Sequence, residues 1–95
     1  MIDEKILQRT IIKSADRKQM HKASAECAEL IVALNIYLES PCAETLDHVL
    51  VEMVDVIIGL AQLKRIFKMF YGASFIEDML KEWEEKKFKR MQEAL

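Results

Sequence analysis

Val49-Leu50-Val51-Glu52-Met53-Val54-Asp55-Val56-Ile57-Ile58-Gly59-Leu60 is apolar nearly all the way round a helix, interrupted by two carboxylates. Ala25-Glu26-Cys27-Ala28-Glu29-Leu30-Ile31-Val32-Ala33-Leu34 repeats the pattern with two glutamates. A helix that is apolar on all sides expects burial on several sides, so these two segments are read as the centre of a helical bundle. The rest of the sequence agrees with an all-α class. Glycine and proline are nearly absent, at two and one, while Leu, Ala, Glu, Lys and Met abound. These residues form helices and supply almost no turn punctuation.

The helices are delimited by the few breakers present. A first helix is expected over about Asp3 to Lys13. Ser14 is placed to cap a second, from about Ala15 to Glu39. Ser40-Pro41 stops it, because proline disfavours helix in the residue before it and suits the first turn of the next. A third helix is expected from Ala43 to Tyr71, ended by Gly72. Ser74, with Glu77 three residues on, reads as a capping box opening a fourth. On that helix Ile76, Met79, Leu80, Trp83, Phe88, Met91 and Leu95 form one broad apolar side, opposite a solvated one. No linker or repeat interrupts the chain, so residues 1–95 read as a single domain, an all-α helical bundle of about four helices.

At 95 residues with 52% apolar content, the chain carries more apolar surface than so small a core is expected to use. Completion of the core by a homodimer or homotetramer is the expectation. A net charge of −2 argues against nucleic acid and anionic membrane surfaces as partners. Cys27 and Cys42 show neither CxxC spacing nor a framework, which points to a reducing, cytoplasmic setting. Met1–Glu4 is followed by charge and not by an apolar stretch, so no signal peptide is expected, and no stretch reads as a membrane span.

Glu26 and Glu29 are spaced i, i+3, as are Glu52 and Asp55, so each pair shares a helix face. If the two helices form an antiparallel hairpin turned at Ser40-Pro41, both pairs stand about 15–20 Å from the turn, at one level. With axes roughly 8–10 Å apart, inward-pointing carboxylates converge. Bare carboxylates in an apolar setting repel and lose hydration, and a divalent cation relieves both. The donors are all hard oxygens, which selects Mg²⁺, with Mn²⁺ as a substitute, over Zn²⁺. Such a cation keeps positions for water and substrate phosphates, so hydrolysis of a phosphoanhydride is the expected chemistry. The competing reading is a pair of narrow solvated stripes, because Glu44–Asp47 and Glu82–Glu85 show that the spacing also arises by chance. A di-iron bundle is disfavoured, since neither His21 nor His48 follows a glutamate by three residues.

At these residues the chain resembles the all-α NTP pyrophosphatases of the MazG-like and dimeric dUTPase-like superfamily, marked by E-x-x-E, a gap and E-x-x-D. Here the motif reads Glu26-Cys27-Ala28-Glu29 and Glu52-Met53-Val54-Asp55. The lead-in Gln19-Met20-His21-Lys22-Ala23 and the segment Lys87-Phe88-Lys89-Arg90-Met91 are also similar, so the resemblance spans about residues 17 to 92. Ala25 departs from the acidic residue that many members carry before the first glutamate.

The resemblance implies that Glu26, Glu29, Glu52 and Asp55 are catalytic residues that bind Mg²⁺. The expected activity is hydrolysis of a nucleoside triphosphate to monophosphate and pyrophosphate by an oligomer. It also implies substrate-binding roles for Gln19, Lys22, Lys87 and Arg90, with the lysines and Arg90 on phosphates. Lys22 reads equally as a solvated lysine, and Lys87 and Arg90 as cations complementing a helix C-terminus. The aromatic residues and methionines read as core or interface. The alternative function is a non-enzymatic, oligomeric partner-binding helical protein.

Overall fold

Proline and glycine divide the chain where the sequence places its breaks. In a computed structural model, which describes residues 3–6 and 16–95, helix α1 spans Asp16–Glu39, α2 spans Ala43–Tyr71 and α3 spans Ala73–Ala94. Among the described residues there is no strand, and the fold is an all-α helical bundle. Residues 4–6 are helical, and Asp3 Oδ1 accepts hydrogen bonds from the Lys5 and Ile6 amides at 3.0 and 3.2 Å. The remainder of the expected first helix, and Ser14 as a cap, lie outside the described residues. No described helix is long and apolar enough to cross a membrane.

The chain falls into two compact units, Met1–Leu63 and Lys64–Leu95, with α2 continuing from one into the other. In the first unit α1 and α2 form a hairpin. Its turn is held by Thr45, whose Oγ1 accepts the Cys42 amide at 3.1 Å. The Thr45 hydroxyl proton is shared between the carbonyls of Ser40 (2.8 Å) and Cys42 (3.1 Å). Thr45 therefore does at the third position of α2 what a capping-box glutamate would do.

The hairpin buries one narrow seam. On α1 it runs through Gln19, Ala23, Glu26, Leu30, Ala33 and Tyr37, all buried or half-buried, in alternating steps of four and three. On α2 the same steps join Thr45, Val49, Glu52, Val56, Gly59 and Leu63. This is the heptad spacing of helices that cross at a shallow angle. Gly59 is buried, and a Cβ built on it would lie 3.5 Å from Cα and Cβ of Ala23. Small residues thus set the closest approach of the two axes. The cost is a thin core: among the described residues of this unit, Ala23, Ala33 and Val49 are the buried hydrophobic side chains.

In the second unit Gly72 turns the chain with φ 95°, a conformation that side-chain-bearing residues rarely adopt. Its amide closes α2 on the Lys68 carbonyl at 2.9 Å, and its carbonyl opens α3. The expected capping box of Ser74 and Glu77 does not form. Helix α3 already begins at Ala73 with Gly72 as its cap, and no side chain caps it. Ser74 is therefore inside the first turn, and Glu77 pairs instead with Lys64 (3.1 Å) and Lys68. Hydrogen bonds from Lys68 and Lys64 hold the Glu77 carboxyl below its usual range. A depressed carboxylate pKa gives stability that is present above the unfolded value and lost as pH falls through the folded one. Glu77→Gln is accordingly expected to lower the melting temperature slightly at neutral pH and to leave it unchanged below the folded-state pKa. Thermal melts by circular dichroism across that range check this, and equal losses at both ends would show that packing, not charge, is the link.

Candidate metal centre

Two features of the hairpin bring acidic side chains together. The spacing i, i+3 sets each pair on one face, and the Ala23–Gly59 contact draws the axes close at that level. One oxygen each from Glu26, Glu52 and Asp55 lies within 4.8 Å of the others. Glu52 is only 8% exposed, while Glu26 and Asp55 are half-buried. Oε2 of Glu26 and Oε2 of Glu52 are buried with no hydrogen-bond partner.

Such a trio is electrostatically unsatisfied. A buried polar atom without a partner costs on the order of 1–3 kcal/mol, and more when charged. Glu26 records the strain. Burial, then repulsion from Glu29 and Asp55, raises its pKa above 4.5, while the charge of Lys22 pulls the other way. A proton or a cation in the cluster would relieve this conflict. The donor set is oxygen only, and Glu26 and Glu52 each carry a buried oxygen without a hydrogen-bond partner. That fits a hard divalent ion such as Mg²⁺ or Mn²⁺ better than zinc.

The four residues expected to act together are not equivalent. Glu29 stands outside the trio and is exposed. With Ala28, Val32, His48 and Glu52 it lines an open cleft of about 330 Å³. Its side chain still reaches Glu26, where it contributes repulsion and a hydrogen bond that favour protonation there. The cleft adds a histidine to these acids. His48 Nε2 lies 3.4 Å from Glu52 Oε1, an i, i+4 neighbour whose spacing was the available signal.

The expected substrate contacts separate. Gln19 is buried at 4% exposure in the seam, and its Oε1 has no partner. Lys22 is exposed one turn before Glu26 and lowers that residue's pKa, so its positive charge is felt at the cluster. Lys87 and Arg90 belong to the second unit, on α3. There Lys87 lines a cleft of about 610 Å³ with Lys64, Lys81, Trp83 and the acids Glu77, Asp78 and Glu84. Its lysines and acids are matched in number, so it presents no net attraction to an anion. No family model, no curated protein and no solved structure matches the chain.

Proposed function

We propose that the hairpin is a divalent-cation site and that the protein hydrolyses nucleoside triphosphates to monophosphate and pyrophosphate. One observation carries the reading: three carboxylate oxygens within 4.8 Å of one another, with Oε2 of both Glu26 and Glu52 buried and unpartnered. Glu26, Glu52 and Asp55 would hold the ion, with Mg²⁺ the expected occupant and Mn²⁺ a substitute. When bound, it supplies positive charge to phosphate oxygens and acidifies water. Glu29, exposed on the open side, accepts a proton from the attacking water. His48 Nε2, 3.4 Å from Glu52 Oε1, would orient that carboxylate toward the ion. Lys22 offers charge to the phosphate tail.

The reading agrees with the resemblance to the MazG-like pyrophosphatases at Glu26-x-x-Glu29 and Glu52-x-x-Asp55. Phosphate contacts at Lys87 and Arg90 rest on the resemblance alone, since the cleft that Lys87 lines carries no excess of cations. Gln19, being buried, fits a ligand role only through its unpartnered Oε1. Cys27 and Cys42 are both free, which supports a cytoplasmic location.

The test is pyrophosphate release from a panel of ribo- and deoxyribonucleoside triphosphates, with Mg²⁺ and with EDTA. Metal-dependent release with monophosphate as co-product is expected. No turnover in a folded sample would overturn the reading. It would favour a non-enzymatic partner-binding helical protein, for which the exposed apolar surface already argues.

A further inference from the structure

The cleft beside the carboxylate trio holds a nitrogen donor that the trio lacks. His48 and Glu52 stand one turn apart on α2, on one face of the helix. His48 Nε2 lies 3.4 Å from Glu52 Oε1. That is wider than the usual N–H···O hydrogen bond of about 2.7–3.2 Å. It matches the separation of two ligands on a tetrahedral zinc ion, about 3.3–3.4 Å for bonds of roughly 2.0–2.1 Å. Glu29 comes to the same open cleft from α1, with Ala28 and Val32 beside it.

We propose that this cleft is a second metal site, for Zn²⁺, with His48, Glu52 and Glu29 as ligands and water in the fourth position. The donor set is the first support. One imidazole with two carboxylates suits zinc, whereas an oxygen-only trio suits Mg²⁺. Ligands at i and i+4 on a helix also form a ready chelate. The second support is burial. Glu52 is only 8% exposed, and its Oε2 has no hydrogen-bond partner although a histidine adjoins its other oxygen. A carboxylate so deeply buried is costly without a paired cation. The third is charge. Glu29 and Asp55 both repel the charged form of Glu26, and Lys22 only partly opposes them. With Glu52, four carboxylates gather on this side of the hairpin. One divalent ion in the trio balances half of that charge, and a second in the cleft balances the remainder. A zinc ion here engages Glu29 and Glu52, both given roles in hydrolysis above, so on that reading it slows turnover. The zinc site itself stands whether or not the protein hydrolyses a triphosphate.

The test reads binding and not activity. Zinc is titrated into the intact protein by calorimetry, and the rings of His21 and His48 are followed by ¹⁵N NMR. The expected result is that zinc moves the Nε2 resonance of His48 and leaves His21 in place. His21→Gln is expected to bind as the wild type does. His48→Gln, Glu52→Gln and Glu29→Gln are each expected to bind at least tenfold more weakly. A folded wild type that takes up no zinc overturns the proposal. So does zinc that moves His21 instead, or undiminished binding in any of the three variants.

A further variant separates the two sites. Asp55 belongs to the trio and does not line the cleft. Asp55→Asn is expected to lose the melting response to Mn²⁺ and to keep zinc on His48. If Asp55→Asn loses zinc as fully as His48→Gln, cleft and trio are one site and the proposal fails. A wild type that shows no Mn²⁺ response but holds zinc on His48 would instead count against the trio and leave the cleft standing.

Discussion

Glu52→Gln is expected to abolish pyrophosphate release, by about 100-fold or more, and to remove the rise in melting temperature expected of the wild type with Mg²⁺ or Mn²⁺. The same substitution is expected to stabilise the metal-free protein by roughly 1–2 kcal/mol. Both effects have one origin. Glu52 is 8% exposed and faces Glu26 and Asp55, with its Oε2 unpartnered. In a metal-bound protein a Glu52 oxygen would be a ligand, and in the metal-free protein its Oε2 is buried without a hydrogen-bond partner. Glutamine keeps the shape and a group for His48, so the hairpin itself is preserved.

The raised pKa of Glu26 sets the pH trend. A carboxyl whose folded pKa lies above its unfolded value gives stability that is complete below the unfolded pKa and is withdrawn as pH rises through the folded one. The metal-free wild type is therefore expected to weaken as pH climbs out of the acid range, and the divalent ion to offset that loss at neutral pH. Thermal melts with EDTA and with Mn²⁺ measure all of this. A Glu52→Gln protein that still responds to Mn²⁺ like the wild type would remove the cluster from consideration as the site.

Gly59→Leu is expected to be the most damaging change in the hairpin, costing about 3 kcal/mol, whereas Gly59→Ala is expected to be neutral or to stabilise by up to about 1 kcal/mol. The alanine Cβ would meet Cα and Cβ of Ala23 at 3.5 Å, an ordinary contact, and would remove glycine's helix penalty. A leucine extends three further carbons toward the α1 backbone, which cannot yield except by separating the helices. Separation at this level would also pull Glu26 away from Glu52 and Asp55, so the metal response is expected to fall with the stability. At about 4–8 °C per kcal/mol for a domain of this size, the two variants should lie well apart in a melt. A Gly59→Leu protein that melts with the wild type would contradict the close approach of α1 and α2.

Much of the architecture was legible in the residues because it rests on local chemistry. Pro41 ends α1 and starts α2, and Gly72 divides α2 from α3, since each controls backbone torsions wherever it occurs. Ala43–Tyr71 was read with its observed bounds for that reason. The level at which Glu26 meets Glu52 and Asp55 was also legible, being fixed by residue counts from the turn and the helical rise.

What spacing does not carry is rotation. An i, i+3 pair lies roughly 60° apart round the helix, so one member can face the seam while the other faces out. On α1 that member is Glu26, and Glu29 is left to the cleft. On α2 Glu52 is buried and Asp55 still reaches the cluster. The angle was decided by the seam of Ala23, Ala33, Val49 and Gly59, whose small residues settle how the helices lean together. Competition between partners was likewise invisible in one dimension. Glu77 turned to Lys64 and Lys68 rather than to a cap, and Thr45 took the capping role at the other turn. The sequence alone determined the helices, their ends and the acids each would bring. Only the tertiary structure decided which side of each helix is covered, because that depends on how two surfaces fit and not on the order of residues along either one.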